Sequence, residues 1–199
     1  MFRYLITKGG NISSYLISLL LTLPIILLSL SVHEASHAWM ANKLGDPTAR
    51  NLGRLTLNPF KHLDLVGFIC MLLFGFGWAN PVPVNSRYFK KPRRDMALTA
   101  AAGPLSNIVL GFIFVSLYEI SYLLTVRLFP SVAASAPMVI YVWLTFLQMG
   151  AELNVYLAVF NLIPVPPLDG SRLFYIFLPV KWYFGIMKYE KYISIALFA

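Results

Sequence analysis

"IILLSLSVHEASHAWM" (Ile25–Met40) decides how the chain is read. It opens as a run fit for lipid and then, with no turn signal, carries His33, Glu34 and His37 on the same continuing helix. Ionisable groups at membrane depth are costly, so their presence points to function. His33 and His37 are four residues apart, which puts them on one helical face with Cβ atoms about 5–6 Å apart. Two imidazole nitrogens can then reach one zinc ion at about 2.0–2.1 Å each. Glu34 lies roughly 100° around the helix from His33, where it can border an open coordination position and move a proton. His-Glu-x-x-His on a helix is the zinc metalloprotease pattern for this reason. The bland alternative is a pair of interfacial histidines beside a glutamate that snorkels to the headgroups.

The 199 residues are 58% hydrophobic and 12% charged, with a mean hydropathy of +0.70. A soluble domain is about a quarter charged, so this chain lacks the polar surface to cover a globule and lipid is its main solvent. The net charge of +8 does not indicate nucleic acid, because the basic residues cluster in short segments beside apolar runs, as in cytoplasmic loops. The single cysteine, Cys70, rules out an intrachain disulfide and a Cys₂His₂ zinc site. No linker or internal repeat divides the chain, so residues 1–199 are expected to form a single membrane-embedded domain.

Four apolar stretches stand out: Ile12–Leu44, Leu65–Ala79, Met96–Phe129 and Met138–Ile163. A helix needs about 20 residues to cross the hydrocarbon core, so the first, third and fourth qualify. The second is short and broken by Gly75 and Gly77. Lys43, Arg50, Arg54 and Lys61 precede it, and Arg87, Lys90, Lys91, Arg93 and Arg94 follow it. Two basic flanks belong on the same cytoplasmic side, so the short run is expected to be re-entrant. The uncharged Ser131–Pro137 reads as external. "NLGRLTL" (51–57) and "ANPVPVNSRYF" (79–89) read as small membrane-associated β-strands, with Pro81 and Pro83 suited to an edge. Tyr192–Ala199 reads as the start of a further C-terminal helix, cut off by the end of the chain. The expected fold is an all-α polytopic membrane protein with three long transmembrane helices.

A catalytic zinc takes three protein ligands and keeps a fourth position open. For the third, Asp169 stands apart in "FNLIPVPPLDGSR" (160–172). Pro164, Pro166 and Pro167 must end the fourth helix, and Gly170 permits a sharp turn after the aspartate. The competing reading makes Asp169 a turn residue or a helix cap. If the short run dips and returns, Asp169 lands on the same membrane face as His33 and His37; if it spanned, about 30 Å of bilayer would separate them. In "AAAGPLSNIVLG" (100–111), Gly103, Asn107 and Gly111 share a face and allow close helix approach, and Asn107 is within reach of the site. Asn154 and Asn161 share a face of the fourth run. Asn161 either donates to a developing oxyanion or caps exposed backbone. Glu119, Gln148 and Glu152 are polar groups at apolar positions with no assigned chemistry, and His62 and Asp64 are placed to orient the short run.

With His33-Glu34-x-x-His37, "GPLSN" (103–107) and "NLIPVPPLDG" (161–170) in this order, the chain resembles the site-2 protease family of intramembrane zinc metalloproteases. "GDPTARNLGRLTLNPFKHLD" (45–64) and "GWANPVPVN" (77–85) are similar to its compact prokaryotic branch, which has no PDZ-like or CBS-like module. The resemblance implies one catalytic Zn²⁺ held by His33, His37 and Asp169, with Glu34 as the catalytic glutamate and Asn161 assisting at the substrate carbonyl. It also implies a transmembrane-protein substrate clamped by the extended segments, a prokaryotic inner-membrane location and an active site toward the cytoplasm. An extended substrate is expected to add as a strand near Pro81–Val84. The competing classes are a membrane metal transporter or a non-proteolytic zinc-binding membrane protein. A membrane-anchored protease acting on soluble proteins fits less well, because there is no soluble catalytic domain. A transporter would be expected to show duplicated halves with broken helices, and no such duplication is seen.

Overall fold

The computed structural model describes residues 12–74 and 77–178, together with 189, 192 and 193. Three helices in it are long and apolar enough to cross a membrane, as the sequence leads one to expect. The first, α1 (Ile12–Lys43), runs unbroken from the lipid-like stretch through the His/Glu motif. After a four-residue helix, α2 (Thr48–Asn51), the chain forms α3 (Leu65–Phe74). The long helix α4 (Pro92–Tyr122) continues as a wider π-helical stretch, Leu123–Leu128. Helix α5 (Pro130–Ser135) leads into α6 (Pro137–Asn161), and α7 (Asp169–Phe174) follows the proline-rich break.

Local chemistry sets these limits. Helices α4, α5 and α6 each begin with a proline in the first turn, where the missing N–H would have had no partner. At the start of α4 the buried Asp95 accepts the Lys91 N–H at 2.9 Å. Beyond Asn161, Pro164, Pro166 and Pro167 cannot continue α6, and the Pro166–Pro167 bond is cis.

Helix α4 lies at the centre, packed against α1, α6 and α7. Its outer face carries Leu105, Ile108, Val109, Phe112 and Ile113, all exposed, a surface that only lipid or another apolar surface can cover at low cost. The inner contacts are small or polar. Phe114, Leu147 and Ala151 form one apolar cluster, while Ser29, Asn107 and Asn154 are fully buried. In a bilayer small residues and hydrogen-bonding amides hold helices together, since oily side chains gain little by leaving lipid.

The stretch from Leu63 to Ala79 leaves the fold and comes back to where it started. Leu63 and Ala79 form an antiparallel bridge, and the Asn80 N–H donates to the His62 carbonyl at 2.8 Å. Asp64 begins the excursion by accepting the Gly67 N–H at 2.8 Å, and the His62 Nε2–H donates to the Thr56 carbonyl at 2.8 Å. Both residues therefore organise this segment, as the sequence suggests.

The small β-strands expected at 51–57 and 79–89 do not form among the described residues. Asn51 ends α2, and Gly53 turns the chain with φ +66°. Residues 86–88 form a 3₁₀ turn, and apart from the bridge at Ala79 no ladder is present among the described residues. The prolines do keep residues 81–85 out of a helix, but among the described residues no neighbouring segment supplies a second edge. Apart from Tyr192 and Ile193, the expected last helix lies outside the described residues.

Candidate metal centre

The structure brings together the three residues singled out as ligands. His33 Nε2 and His37 Nε2 are 3.1 Å apart, and each is 3.1 Å from Asp169 Oδ2. Donors at 2.0–2.1 Å from a tetrahedral ion are separated by about 3.3 Å, so the triangle matches one face of a zinc site. His33 and His37 are buried and Asp169 nearly so. Among the described residues this is the cluster whose ligand atoms could share one metal ion.

The hydrogen-bond network fixes which imidazole nitrogens face inward. The His37 Nδ1–H donates to the Thr99 carbonyl at 2.7 Å, an acceptor that admits no other arrangement. For His33 the assignment starts at the Gly150 carbonyl, to which Asn154 Nδ2 donates at 2.8 Å. Asn154 Oδ1 must then accept from Asn107 Nδ2, at 2.8 Å, which leaves Asn107 Oδ1 to accept the His33 Nδ1–H at 2.5 Å. Asn154 Nδ2 also donates to Ser29 Oγ at 2.9 Å, returning the network to α1. Both Nε2 atoms thus turn lone pairs toward the Asp169 oxygen. Three such acceptors repel one another unless a cation lies among them, and a metal ion fits that donor set. Protonated imidazoles can stand in for such a cation: burial raises the Asp169 carboxyl pKa, but their hydrogen bonds and then their charge outweigh it and hold the carboxyl well below the usual carboxylate range. It is therefore ionised, as a ligand must be.

Two glycines make the convergence possible. A Cβ built on Gly103 would lie 2.5 Å from Cε1 of His37 and 2.6 Å from Cε1 of His33, so α4 approaches the imidazoles as only glycine allows. Gly170 has its own backbone against the end of α6, where a Cβ would meet the Ile163 carbonyl at 2.5 Å. That contact folds the turn back and aims Asp169 inward. Asp169 does not cap the helix it begins. Gly103→Ala is therefore expected to leave the helices intact by circular dichroism but to remove bound zinc, measured per protein by atomic emission. A full equivalent of zinc in this variant would mean that the ion lies elsewhere.

Glu34 stands outside the triangle. Its Oε2 accepts the Val82 N–H at 3.0 Å, and it is 9% exposed, so a carboxylate free of the metal lies between the ligand helix and the Pro81–Val84 stretch. Asp46 secures the same stretch farther along: its Oδ2 accepts the Asn85 N–H at 2.6 Å, and its Oδ1 accepts the Thr48 N–H at 2.9 Å. No backbone–backbone bond ties Pro81–Val84 to a neighbouring strand among the described residues. Asn161 makes no hydrogen bond to the three ligands; its Nδ2 donates to the Leu157 carbonyl of its own helix at 2.9 Å. Gln148 and Glu152 bond each other on an exposed face, and Glu119 is exposed.

Sequence reasoning missed several of these parts. The Thr99 carbonyl leaves no trace in residue identity. Asn154 was grouped with Asn161 by spacing, yet it belongs to the His33 network. Asp46 did carry a signal, an acidic residue in "GDPT" able to bond backbone two residues on.

Comparison with known proteins gives the following. Residues 21–197 match the model of Peptidase family M50. The chain is 43% identical over 148 residues to YwhC of Bacillus subtilis (strain 168), named as a candidate zinc metalloprotease, covering 74% of this chain and 64% of that protein. It is 31% identical over 149 residues to Rip2 of Mycolicibacterium smegmatis, named in the same way, covering 72% and 52%. With MJ0611 of Methanocaldococcus jannaschii, again so named, the identity is 29% over 118 residues, covering 59% and 50%. The matches thus span between half and two thirds of these relatives' lengths. No solved structure matches the chain significantly.

Proposed function

Because the chain belongs to Peptidase family M50, the site-2 protease family, we propose that it hydrolyses peptide bonds within or near transmembrane helices of membrane-protein substrates. The observation that carries this reading is a buried His33–His37–Asp169 triangle with a separate carboxylate, Glu34, beside it. A transporter needs a site that opens in turn to both sides, and nothing in that task calls for a buried carboxylate outside the ligand set.

The residues that would hold Zn²⁺ are His33, His37 and Asp169. Bound zinc supplies Lewis acidity, which polarises a carbonyl and makes water nucleophilic near neutral pH. Glu34 takes the proton from the attacking water and delivers it to the leaving amine. The Val82 N–H keeps one Glu34 oxygen oriented and leaves the other for the proton. Asn161 steadies the oxyanion after giving up its bond to the Leu157 carbonyl.

A substrate helix hides its peptide groups in its own hydrogen bonds and must unwind to be cut. Adding beside Pro81–Val84, whose carbonyls and Val84 N–H make no backbone bond among the described residues, would replace part of those bonds. The returning excursion from Leu63 to Ala79 dips into the bilayer rather than crossing it, which agrees with the basic residues on both flanks. The active site then faces the cytoplasm of a prokaryotic cell, in its inner membrane.

The test is hydrolysis of a single-span peptide by the purified protein in detergent. A zinc chelator is expected to abolish cleavage, and added zinc to restore it. Zinc uptake into proteoliposomes without any cleavage would favour a transporter and overturn the proposal.

A further inference from the structure

About one turn before His33 along α1, a cavity of about 540 Å³ opens between α1, the Leu63–Ala79 excursion and α6. None of the three ligands lines it. Its walls include Leu27, Leu30 and Ser31 of α1, His62 just before the excursion and Phe68 within it, and Leu153 of α6. The volume lies within the range of about 300–1,000 Å³ usual for ligand sites.

Its position ties it to the chemistry. Leu27, Leu30, Ser31 and Glu34 follow one another at helical spacing on one face of α1, so the cavity continues along the stripe that ends at the proton-transfer carboxylate. Ala79, also in the wall, lies two residues before Pro81 and the stretch whose Val82 N–H bonds Glu34. A chain leaving Glu34 along this face therefore enters the cavity.

The wall is almost wholly apolar, and the Ser31 hydroxyl has its proton committed to the Leu27 carbonyl at 2.6 Å. His62 differs. It is 1% exposed, its Nε2–H is committed to Thr56, and its Nδ1 has no partner among the described residues and is covered, so that a bound peptide must displace a neighbouring side chain to reach it. In the neutral ring that nitrogen is an acceptor. An unwound peptide brings apolar side chains together with an N–H that has lost its acceptor, and membrane interiors supply no water to take it.

We infer that this cavity receives the unwound apolar residues on one side of the scissile bond, selecting a bulky aliphatic side chain there, with His62 accepting a hydrogen bond from a freed peptide N–H. The inference rests on the protease reading above. It names what that reading leaves open, the feature of a substrate that the enzyme selects.

The experiment uses the zinc-loaded Glu34→Gln protein in detergent, so that binding is read without turnover. The probes are fluorescent single-span peptides with a central Gly-Ser pair, differing only in whether the flanking residue is Ala, Leu or Phe. The Leu peptide is expected to bind at least about tenfold tighter than the Ala peptide, since each methylene in such a pocket is worth roughly that or more. Leu27→Trp and Leu153→Trp, filling the cavity from opposite walls, are expected to abolish the preference while a full equivalent of zinc remains bound. Methylating the adjacent peptide nitrogen should weaken binding to the parent protein but not to its His62→Phe variant. Equal affinity for the Ala and Leu peptides in the parent protein overturns the inference whatever the variants do. An unchanged preference in both tryptophan variants at full zinc occupancy also overturns it, leaving the cavity to a lipid acyl chain. Equal loss on methylation in both proteins takes His62 out of the subsite. If the zinc-loaded wild-type protein cleaves no peptide and its Glu34→Gln form binds none, the protease reading itself falls.

Discussion

Glu34→Gln is expected to keep one equivalent of zinc per chain and to lose cleavage of a single-span substrate by roughly 10²–10⁴-fold, the usual contribution of a positioned acid–base group. The two halves of this result follow from different observations. Retention follows because Glu34 lies outside the ligand triangle and accepts the Val82 N–H, a bond that a glutamine oxygen can also accept, though without the charge that strengthens it. Loss follows because the amide has nearly the shape of the carboxylate but cannot take a proton at neutral pH. The variant therefore changes basicity at constant volume. Zinc content by atomic emission and product formation in detergent read the two halves separately. Unchanged cleavage would remove Glu34 from the mechanism; lost zinc would show that it supports the ion after all.

The parts of this architecture that are legible in the sequence are those in which one residue type does one thing. His33 and His37 announce themselves by spacing, and the proline break before Asp169 marks where a helix must end. The third ligand is harder, because 136 positions separate Asp169 from His33, and local pattern says nothing about that distance. Only the charge asymmetry around Leu65–Ala79, by fixing which loops share a membrane face, brings the two together from sequence. Gly103 was legible only as a packing glycine. Its role as the wall of the imidazole cradle depends on how α4 lies against α1, which no residue encodes by itself. The strands failed for a related reason: proline-rich extended sequence specifies an edge, but a ladder needs a second edge, and the described residues supply only the bridge from Leu63 to Ala79.

The second large effect is expected at Asp169. Its replacement by alanine leaves two imidazoles for an ion that takes three protein ligands and removes the one negative charge in the triangle. Loss of an outer-shell partner alone typically weakens metal binding by about 10–100-fold, so loss of a ligand should exceed that. Zinc occupancy after dialysis against a weak chelator should fall from one equivalent to a small fraction, and cleavage with it. Asp169→Asn retains an oxygen without the charge and should lie between alanine and wild type. Gly170→Ala leaves all three ligands untouched, yet its Cβ would meet the Ile163 carbonyl at 2.5 Å and push the turn away from α6. If Gly170→Ala loses zinc as Asp169→Ala does, the ion depends on how the proline-rich turn is folded as well as on the carboxylate it carries. If Asp169→Ala holds a full equivalent, the third ligand has been misassigned, and the two histidines must hold the ion with some other group.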